Sequence, residues 1–422
     1  MTQTLFFVIA AYGLFFFIVQ RRQFDFVSAA FFGQLVYFMP GFYGYTANPY
    51  YIWMLPSVPI ADATYVVWNL AMVATIITGF IYRTSRQITW PTLSTSFSFD
   101  LTLNALIVIS FASELYFGSG AILSPDKIQV LEGSTRAVLV FSASTQIALI
   151  AFLLQRKWLQ LIVPGFALLF LLYAGFRNDL AISMVAIVTF IARRYGIWMF
   201  ARLRYLVPLL LVVVVLFSYK PALTAFRADR IELFTMMVTN GSLFEETILG
   251  SEPFLTQAIL NDVLIRDLTM GSLSILYSFV AAVPFLGELL GWERLPIVFN
   301  FQEQLYPNLS FGVASNIYAF FYATLGWPGI VLFIALHCSA LVAISHWLTR
   351  ARSSVVKLAL LATGAFLAFY IHRNDLSNTF AIINRPLIAL FVAWFLSRYL
   401  EWPLRKQRFR VDAPPGRLKT GA

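Results

Sequence analysis

The chain has 422 residues, of which 59% are hydrophobic and only 12% are charged, and its formal net charge is +10. Soluble domains carry about 25% charged residues and cannot bury so large an apolar fraction, so the composition excludes a soluble enzyme. The lone Cys338 excludes a disulfide scaffold, and the basic residues are not grouped as a nucleic-acid-binding surface requires. We therefore expect an all-α, polytopic integral membrane protein.

About eleven apolar stretches are long enough to cross a bilayer, whose core of about 30 Å needs roughly 20 mainly apolar residues. The first stretch is followed, not preceded, by positive residues, so we expect a retained span and not a cleaved signal peptide. The predicted spans are residues 4–20, 24–44, 63–82, 99–116, 137–155, 158–175, 180–197, 205–219, 325–347, 355–371 and 380–399.

The placement of Lys and Arg predicts one orientation, because cytoplasmic loops are enriched in these residues. With the N-terminus outside and alternating spans, 20 of the 30 basic residues face the cytoplasm, whereas 16 of the 20 acidic residues lie outside. We expect a multi-pass protein of a bacterial inner (cytoplasmic) membrane, with a periplasmic N-terminus and a cytoplasmic C-terminus.

This orientation divides the chain into four parts: N-terminal membrane helices (1–219), one large periplasmic loop (220–310), C-terminal membrane helices (311–400) and a basic cytoplasmic tail (401–422). The periplasmic loop contains apolar stretches with helical spacing, which predict helices in it. A span at 270–291 would break the alternation of the basic loops. We therefore expect that stretch to lie in the interface or to re-enter the membrane.

Several arginines oppose the positive-inside bias and need another explanation. A guanidinium group forms paired hydrogen bonds with phosphate oxygens and keeps its charge in any environment, so these residues predict a site for a phosphate-bearing headgroup. The alternative is that each arginine pairs with a nearby acid, for example Arg177 with Asp179 or Arg373 with Asp375. The outer arginines are Arg177, Arg227, Arg230, Arg266, Arg294, Arg373 and Arg385.

A short sequence repeat contains two of these arginines. The tetrapeptide Arg-Asn-Asp-Leu occurs at 177–180 and again at 373–376, each time at the predicted outer end of a membrane helix. The shared position predicts that Arg177 and Arg373 lie on the same face of the membrane. Arg230, in the long loop, could then fold over them, so that three guanidinium groups would bind one pyrophosphate.

Three segments resemble the O-antigen polymerase (Wzy) family: GFRNDLAISMVAIVTF, NLSFGVASNIYAFFYATLGWPGIV and HRNDLSN. Members of that family join lipid-linked oligosaccharide repeats on the periplasmic side of the inner membrane. A glycine-x-arginine at an outer helix end, a large outer loop and a late arginine recur in them. The arginine, ten residues, glycine pattern of their large loop is matched by Arg230 and Gly241.

The arginines and the resemblance together predict the site. The expected catalytic residues are Arg177, Arg230, Arg373, Glu232 and Asp179, and the expected substrate-binding residues are Arg227, Arg266, Arg294, His372, Asp375 and Arg385. No metal or other cofactor is expected, because the sequence lacks the motifs that would bind one. The residue that accepts the proton of the acceptor hydroxyl is left open among Asp179, Asp229, Glu232, Glu252, Glu303, His372 and Asp375.

The predicted function is a polysaccharide polymerase that transfers an undecaprenyl-pyrophosphate-linked glycan onto another lipid-linked repeat unit. An O-antigen ligase, which differs only in its acceptor, and a lipid-linked oligosaccharide flippase are the alternatives. Expected partners are the lipid-linked oligosaccharide, the bilayer, and the chain-length regulator and flippase of the same pathway, with no nucleic acid.

Overall fold

The computed structural model describes residues 1–21, 23–47, 58–82, 90, 92–118, 133–202, 207, 231–241, 247–248, 251–283, 286–290, 304–306 and 315–411. Most of these residues are helical, as predicted. The helices are α1 (Thr2–Phe15), α2 (Phe26–Tyr37), α3 (Pro40–Tyr43), α4 (Asp62–Ile81), α5 (Phe97–Phe117), α6 (Arg136–Gln155), α7 (Ile162–Tyr173), α8 (Asn178–Tyr195), α9 (Ile231–Thr239), α10 (Glu252–Ile265), α11 (Leu273–Ala282), α12 (Leu286–Leu289), α13 (Ile317–Arg350), α14 (Ser354–Phe369) and α15 (Leu376–Val411).

Shorter elements complete this description. A π-helical turn, Phe16–Gln20, extends α1, and two 3₁₀ turns, Ile197–Ala201 and Tyr370–Arg373, follow α8 and α14. The strands β1 (Tyr45–Thr46) and β2 (Val58–Pro59) pair antiparallel, with Tyr45 opposite Pro59 and Thr46 opposite Val58.

Seven helical segments in the described part are long and apolar enough to cross a membrane. They are Thr2–Gln20, Asp62–Ile81, Phe97–Phe117, Arg136–Gln155, Ile317–Arg350, Ser354–Arg373 and Leu376–Glu401. The chain is thus an all-α membrane protein, but eleven spans remain a prediction. The helices α2 and α7 are apolar but have only 12 residues each, and the predicted span 205–219 lies, except for residue 207, outside the described residues.

One predicted span begins earlier in the structure, and the stretch predicted to lie in the interface or to re-enter the membrane contains short helices. The span predicted at 325–347 belongs to a helix that begins at Ile317, and Gly326, with φ 65°, interrupts that helix before Pro328. The stretch 270–291 contains α11, whose 10 residues are too few to cross a bilayer, and the short α12. The side chain of Asn384 on α15 donates to the carbonyl of Ala282 at the end of α11. Thus α11 packs against α15.

Polar side chains cap the first turn of several helices. Asp25 accepts hydrogen bonds from the backbone N–H groups of Val27 and Ser28 at the start of α2. The side-chain oxygen of Asn316 does the same for Tyr318 and Ala319 at the start of α13. Such caps satisfy N–H groups that have no partner inside the helix, which matters most where water is scarce.

The helices α2 and α14 pack closely because each has a glycine at a position where the other helix approaches. A side chain at Gly33 would meet the backbone carbonyl of Ala368 at 2.3 Å, and one at Gly364 would meet the ring of Phe26 at 2.4 Å. This close approach brings the last residue of α2, Tyr37, beside the 3₁₀ turn that follows α14. The ring centroids of Tyr37 and His372 are 5.4 Å apart.

The ends of the helices form two separate polar regions, which we name after a central acid in each. The Asp25 end contains the start of α2 and α5 and the end of α4, α6 and α8. There Arg21 forms an ion pair with Asp25 at 2.8 Å and donates to the carbonyl of Tyr82. Lys157 forms an ion pair with Asp100, and Lys357 donates to the carbonyl of Thr92.

The Glu252 end is crossed by α10, which joins the ends of several membrane helices. Asn261 accepts from the backbone N–H of Ala61 and the hydroxyl of Thr64, both at 2.9 Å. The indole N–H of Trp68 donates to Gln257 at 2.9 Å. The start of α13 is attached in the same way, since Asn316 donates to the carbonyl of Thr256. Thus α10 is fixed to both α4 and α13.

Candidate functional site

The carboxylate of Glu252, the first residue of α10, forms ion pairs with two arginines from different parts of the chain. A guanidinium nitrogen of Arg373 lies 2.6 Å from its Oε2, and one of Arg177 lies 3.9 Å from the same oxygen. The side chains of Arg177 and Arg373 are 28% and 31% exposed. The structure therefore brings the two arginines of the repeated tetrapeptide together at an accessible position.

Local backbone geometry places each arginine. Gly175 has φ 89°, a left-handed conformation that suits glycine, and it lets the chain turn from α7 into α8, with Arg177 immediately before the first helical residue. Arg373 ends the 3₁₀ turn after α14. Both arginines therefore lie where a membrane helix begins or ends, at the end of the bundle that α10 crosses.

Two tyrosines complete the surroundings of Glu252. The hydroxyl of Tyr37 donates to the Oε1 of Glu252 at 3.2 Å, so both carboxylate oxygens are engaged. Arg373 donates to the hydroxyl of Tyr370 at 2.6 Å, and its guanidinium carbon lies 5.6 Å from the centre of the Tyr370 ring. Hydrogen bonds and the tyrosine ring thus hold Arg373 on two sides.

Asp179 lies in the first turn of α8 and has different partners from those the sequence suggested. The hydroxyl of Ser142 on α6 donates to its Oδ2 at 2.7 Å. Arg385 on α15 stabilises the charge of this buried carboxylate electrostatically. Among the described residues Arg177 therefore pairs with Glu252 of another helix and not with Asp179.

Asp375 caps α15 and does not form an ion pair with Arg373. Its two carboxylate oxygens accept from the backbone N–H and the side-chain amide of Asn378, at 2.7 and 3.0 Å. Burial raises the pKa of this carboxyl above its ordinary value, although the bonds from Asn378 act in the opposite direction. The alternative in which Arg373 pairs with Asp375 is thus not seen, because Asp375 faces its own helix and Arg373 pairs with Glu252.

His372 lies inside the bundle, whereas the sequence placed it at the outer surface. The side chain is fully buried, stacked on the ring of Tyr318, and its Nδ1 lies 3.2 Å from the Tyr318 hydroxyl. A 3₁₀ turn directs neighbouring side chains to different sides, so His372 faces inward while Arg373 reaches Glu252.

The remaining predicted residues are not part of this group or lie outside the described residues. Arg266 is exposed at the far end of α10, on the order of 20 Å from Glu252 along the helix. Glu232 is exposed on α9, and none of the ion pairs in the described part of the chain involves it. The residues outside the described ranges are Arg227, Asp229, Arg230, Arg294 and Glu303.

Sequence reasoning did not anticipate three members of the group. Tyr37, Tyr370 and Ser142 are ordinary residues of membrane helices by sequence, and no motif marks them. Glu252 was one of seven possible bases, but nothing nearby in the sequence connects it with Arg177 or Arg373. A pattern that links residues far apart in the chain would have been needed to find this contact.

The group of Arg177, Arg373 and Glu252 carries a formal charge of +1 and can therefore attract an anion. Two guanidinium groups beside one another offer the planar, multiple donors that phosphate oxygens accept. Within the described residues, no group of three or more His, Cys, Asp or Glu side chains could hold a metal ion.

Comparison of the chain with protein-family models, with curated proteins and with solved structures gives no match.

Proposed function

We propose that the chain is a membrane glycosyltransferase of the O-antigen polymerase type, with a lipid-pyrophosphate-linked glycan as its donor. The observation that carries the proposal is the meeting of Arg177 and Arg373 on Glu252, at one end of the helix bundle. Ionisable side chains at membrane depth are costly and mark functional sites by default. A structural ion pair needs only one arginine for one carboxylate. Two partly exposed arginines around one carboxylate are better explained by the binding of a doubly charged headgroup.

The chemistry explains why arginines suit this reaction. The acceptor hydroxyl attacks the anomeric carbon of the donor glycan, the bond from that carbon to the pyrophosphate oxygen breaks, and lipid pyrophosphate leaves. Negative charge therefore grows on the leaving group in the transition state. Fixed cationic donors that are aimed at this charge stabilise the transition state more than the ground state.

The same reaction requires a group that accepts the proton of the acceptor hydroxyl. Asp179 and Glu232 are the proposed bases, and the hydrogen bond of Asp179 with Ser142 and its electrostatic interaction with Arg385 support the first. These interactions fix the carboxylate two residues from Arg177. Glu232 is exposed, and an exposed carboxylate on α9 could approach a large substrate from the solvent side.

The proposed setting follows from the charge distribution. The Asp25 end, which holds basic residues from several predicted cytoplasmic loops, would face the cytoplasm, and the Glu252 end would face the periplasm. The proposed partners are undecaprenyl-pyrophosphate-linked oligosaccharide, the bilayer, and the flippase and chain-length regulator of the pathway. Arg230 from the long loop would add a third guanidinium group to the pair formed by Arg177 and Arg373.

Deletion of the gene tests this function through the lengths of surface glycan on a gel. A polymerase predicts single repeats attached to the lipid A core, because ligation continues without polymerisation. A core without repeats, together with long lipid-linked polymer, would instead indicate a ligase. Lipid-linked repeats that stay on the cytoplasmic leaflet would indicate a flippase. Either result would reject the polymerase.

A further inference from the structure

Glu252 is held in place by the helix that carries it and by three side-chain partners, Arg177, Arg373 and Tyr37. It begins α10, and the side chains of Asn261 and Gln257 fix that helix to the membrane helices. Two residues after it, Phe254 is fully buried in a small apolar cluster with Ala47 and Ile248. The carboxylate is therefore presented at a fixed position in relation to the ends of α2, α8 and α14.

Both carboxylate oxygens of Glu252 already have partners in the protein. Its Oε2 accepts from Arg373 and lies near Arg177, and its Oε1 accepts from Tyr37. Without this carboxylate, the two guanidinium groups would repel each other at close range. With it, the group keeps one positive charge in excess, which leaves the attraction for an anion in place.

We propose that Glu252 is the positioning residue of the arginine pair: its carboxylate holds Arg177 and Arg373 side by side, so that both face one bound diphosphate. This inference rests on the proposed function for the identity of the reaction, but the control of anion binding by Glu252 can be measured without any glycan. Glu252 itself neither takes up the proton nor touches the reacting atoms.

The experiment uses the full-length protein in nanodiscs of phosphatidylcholine and inorganic pyrophosphate as the probe. Glu252→Gln keeps the shape of the side chain and removes its charge, so the arginine pair gains a net charge. We expect pyrophosphate to bind at least about threefold more tightly in a calorimetric titration. With a synthetic lipid-pyrophosphate-linked repeat unit, we expect kcat to fall about tenfold to a hundredfold, because the guanidinium groups lose their alignment.

Two further variants separate positioning from other roles. Glu252→Asp keeps the charge but shortens the side chain by one methylene. Its kcat should therefore be as low as that of Glu252→Gln, while its pyrophosphate affinity stays within about twofold of wild type. Tyr37→Phe removes the hydrogen bond to Oε1 and should lower kcat about twofold to tenfold with unchanged affinity. If Glu252→Gln does not fold, these two variants carry the test. Asp262→Asn, the same chemical change on the same helix, should match wild type in both measurements.

Each contrary result has a distinct meaning. Loss of the acidic limb of the kcat–pH profile in Glu252→Gln would identify Glu252 as the base and overturn the positioning role. Weaker pyrophosphate binding in that variant, or an unchanged kcat, would also overturn it. Tighter binding together with no polymer from the wild-type protein would reject the polymerase alone, so the two proposals fail in different ways.

Discussion

The two polar ends of the helix bundle use the same residue types in different ways. At the Asp25 end each described ion pair joins one cation to one acid: Arg21 to Asp25, with both side chains almost completely buried, and Lys157 to Asp100. At the Glu252 end two partly exposed arginines share a single carboxylate. Each pair at the Asp25 end joins one positive charge to one negative charge, whereas the three side chains at the Glu252 end sum to one positive charge.

This difference separates stability from function. A buried pair that loses one member leaves an uncompensated charge, so the pairs at the Asp25 end hold helix ends together. A shared carboxylate contributes less to folding, because its partners are partly in contact with solvent. We therefore expect substitutions at the Asp25 end to affect stability and substitutions at the Glu252 end to affect turnover.

The largest effect is expected for the proton acceptor. Asp179→Asn and Glu232→Gln each keep the size of the side chain but remove its basicity, and the variant at the true base should lower turnover about 10²–10⁴-fold. Donor binding should stay close to that of wild type. Polymer synthesis from a synthetic lipid-linked repeat measures this, and wild-type yield from both variants would remove both residues from the mechanism.

At the Asp25 end we expect an effect of similar size, but on stability and not on turnover. Asp25→Ala leaves Arg21 buried without its carboxylate and should destabilise the protein by about 3–5 kcal/mol. The apparent Tm in detergent measures the change. The double variant Arg21→Met with Asp25→Leu should melt closer to wild type. If Asp25→Ala melted at the wild-type temperature, the pair would not be a structural one.

A smaller effect on turnover is expected when the arginines keep their charge but lose their shape. Arg177→Lys and Arg373→Lys should each lower the rate about tenfold to a hundredfold, since a charge-assisted hydrogen bond contributes about 1.5–3 kcal/mol and lysine cannot bind phosphate oxygens in pairs. Lys157→Arg, the reverse exchange at the other end, should leave the rate unchanged. Normal expression together with full-length polymer from both lysine variants would show that charge alone suffices.

The smallest effect is expected from the helix that presents Glu252. Asn261→Ala removes the hydrogen bonds of α10 to Ala61, Thr64 and Pro59 and should cost about 1–3 kcal/mol of stability, with a modest fall in turnover. Asn69→Ala removes one bond, to Thr2, at the same end and should leave turnover unchanged. Equal turnover in the two variants would show that the anchoring of α10 does not affect catalysis.

The membrane helices could be predicted from the sequence because apolar length is a local property. The prediction that Arg177 and Arg373 share a face also needed only the alternation of spans and the positions of the basic loops. In contrast, the convergence of both arginines on Glu252 depends on how α10 packs across the bundle. Side chains such as Asn261 and Trp68 decide that packing, and they come from segments far apart in the chain.

His372 shows why adjacent residues can mislead. Its neighbour Arg373 is charged, so the sequence placed both at the surface, but the 3₁₀ turn after α14 directs His372 into a cluster of aromatic rings with Tyr318. Asp375 misleads in the same way, because the N–H groups at the start of α15 attract its carboxylate more effectively than the nearby arginine. Local capping outweighs sequence proximity at Asp375, and a hydrogen bond from Ser142 on another helix does so at Asp179.

The binding of undecaprenyl pyrophosphate to purified protein in nanodiscs tests the difference between the two ends most directly. Arg373→Met and Lys157→Met each remove one cation, one from the Glu252 end and one from the Asp25 end. We expect Arg373→Met to weaken binding at least about tenfold and Lys157→Met to bind as wild type does. Equal affinity in the two variants, with both proteins folded, would contradict the assignment of the lipid-pyrophosphate site to the Glu252 end.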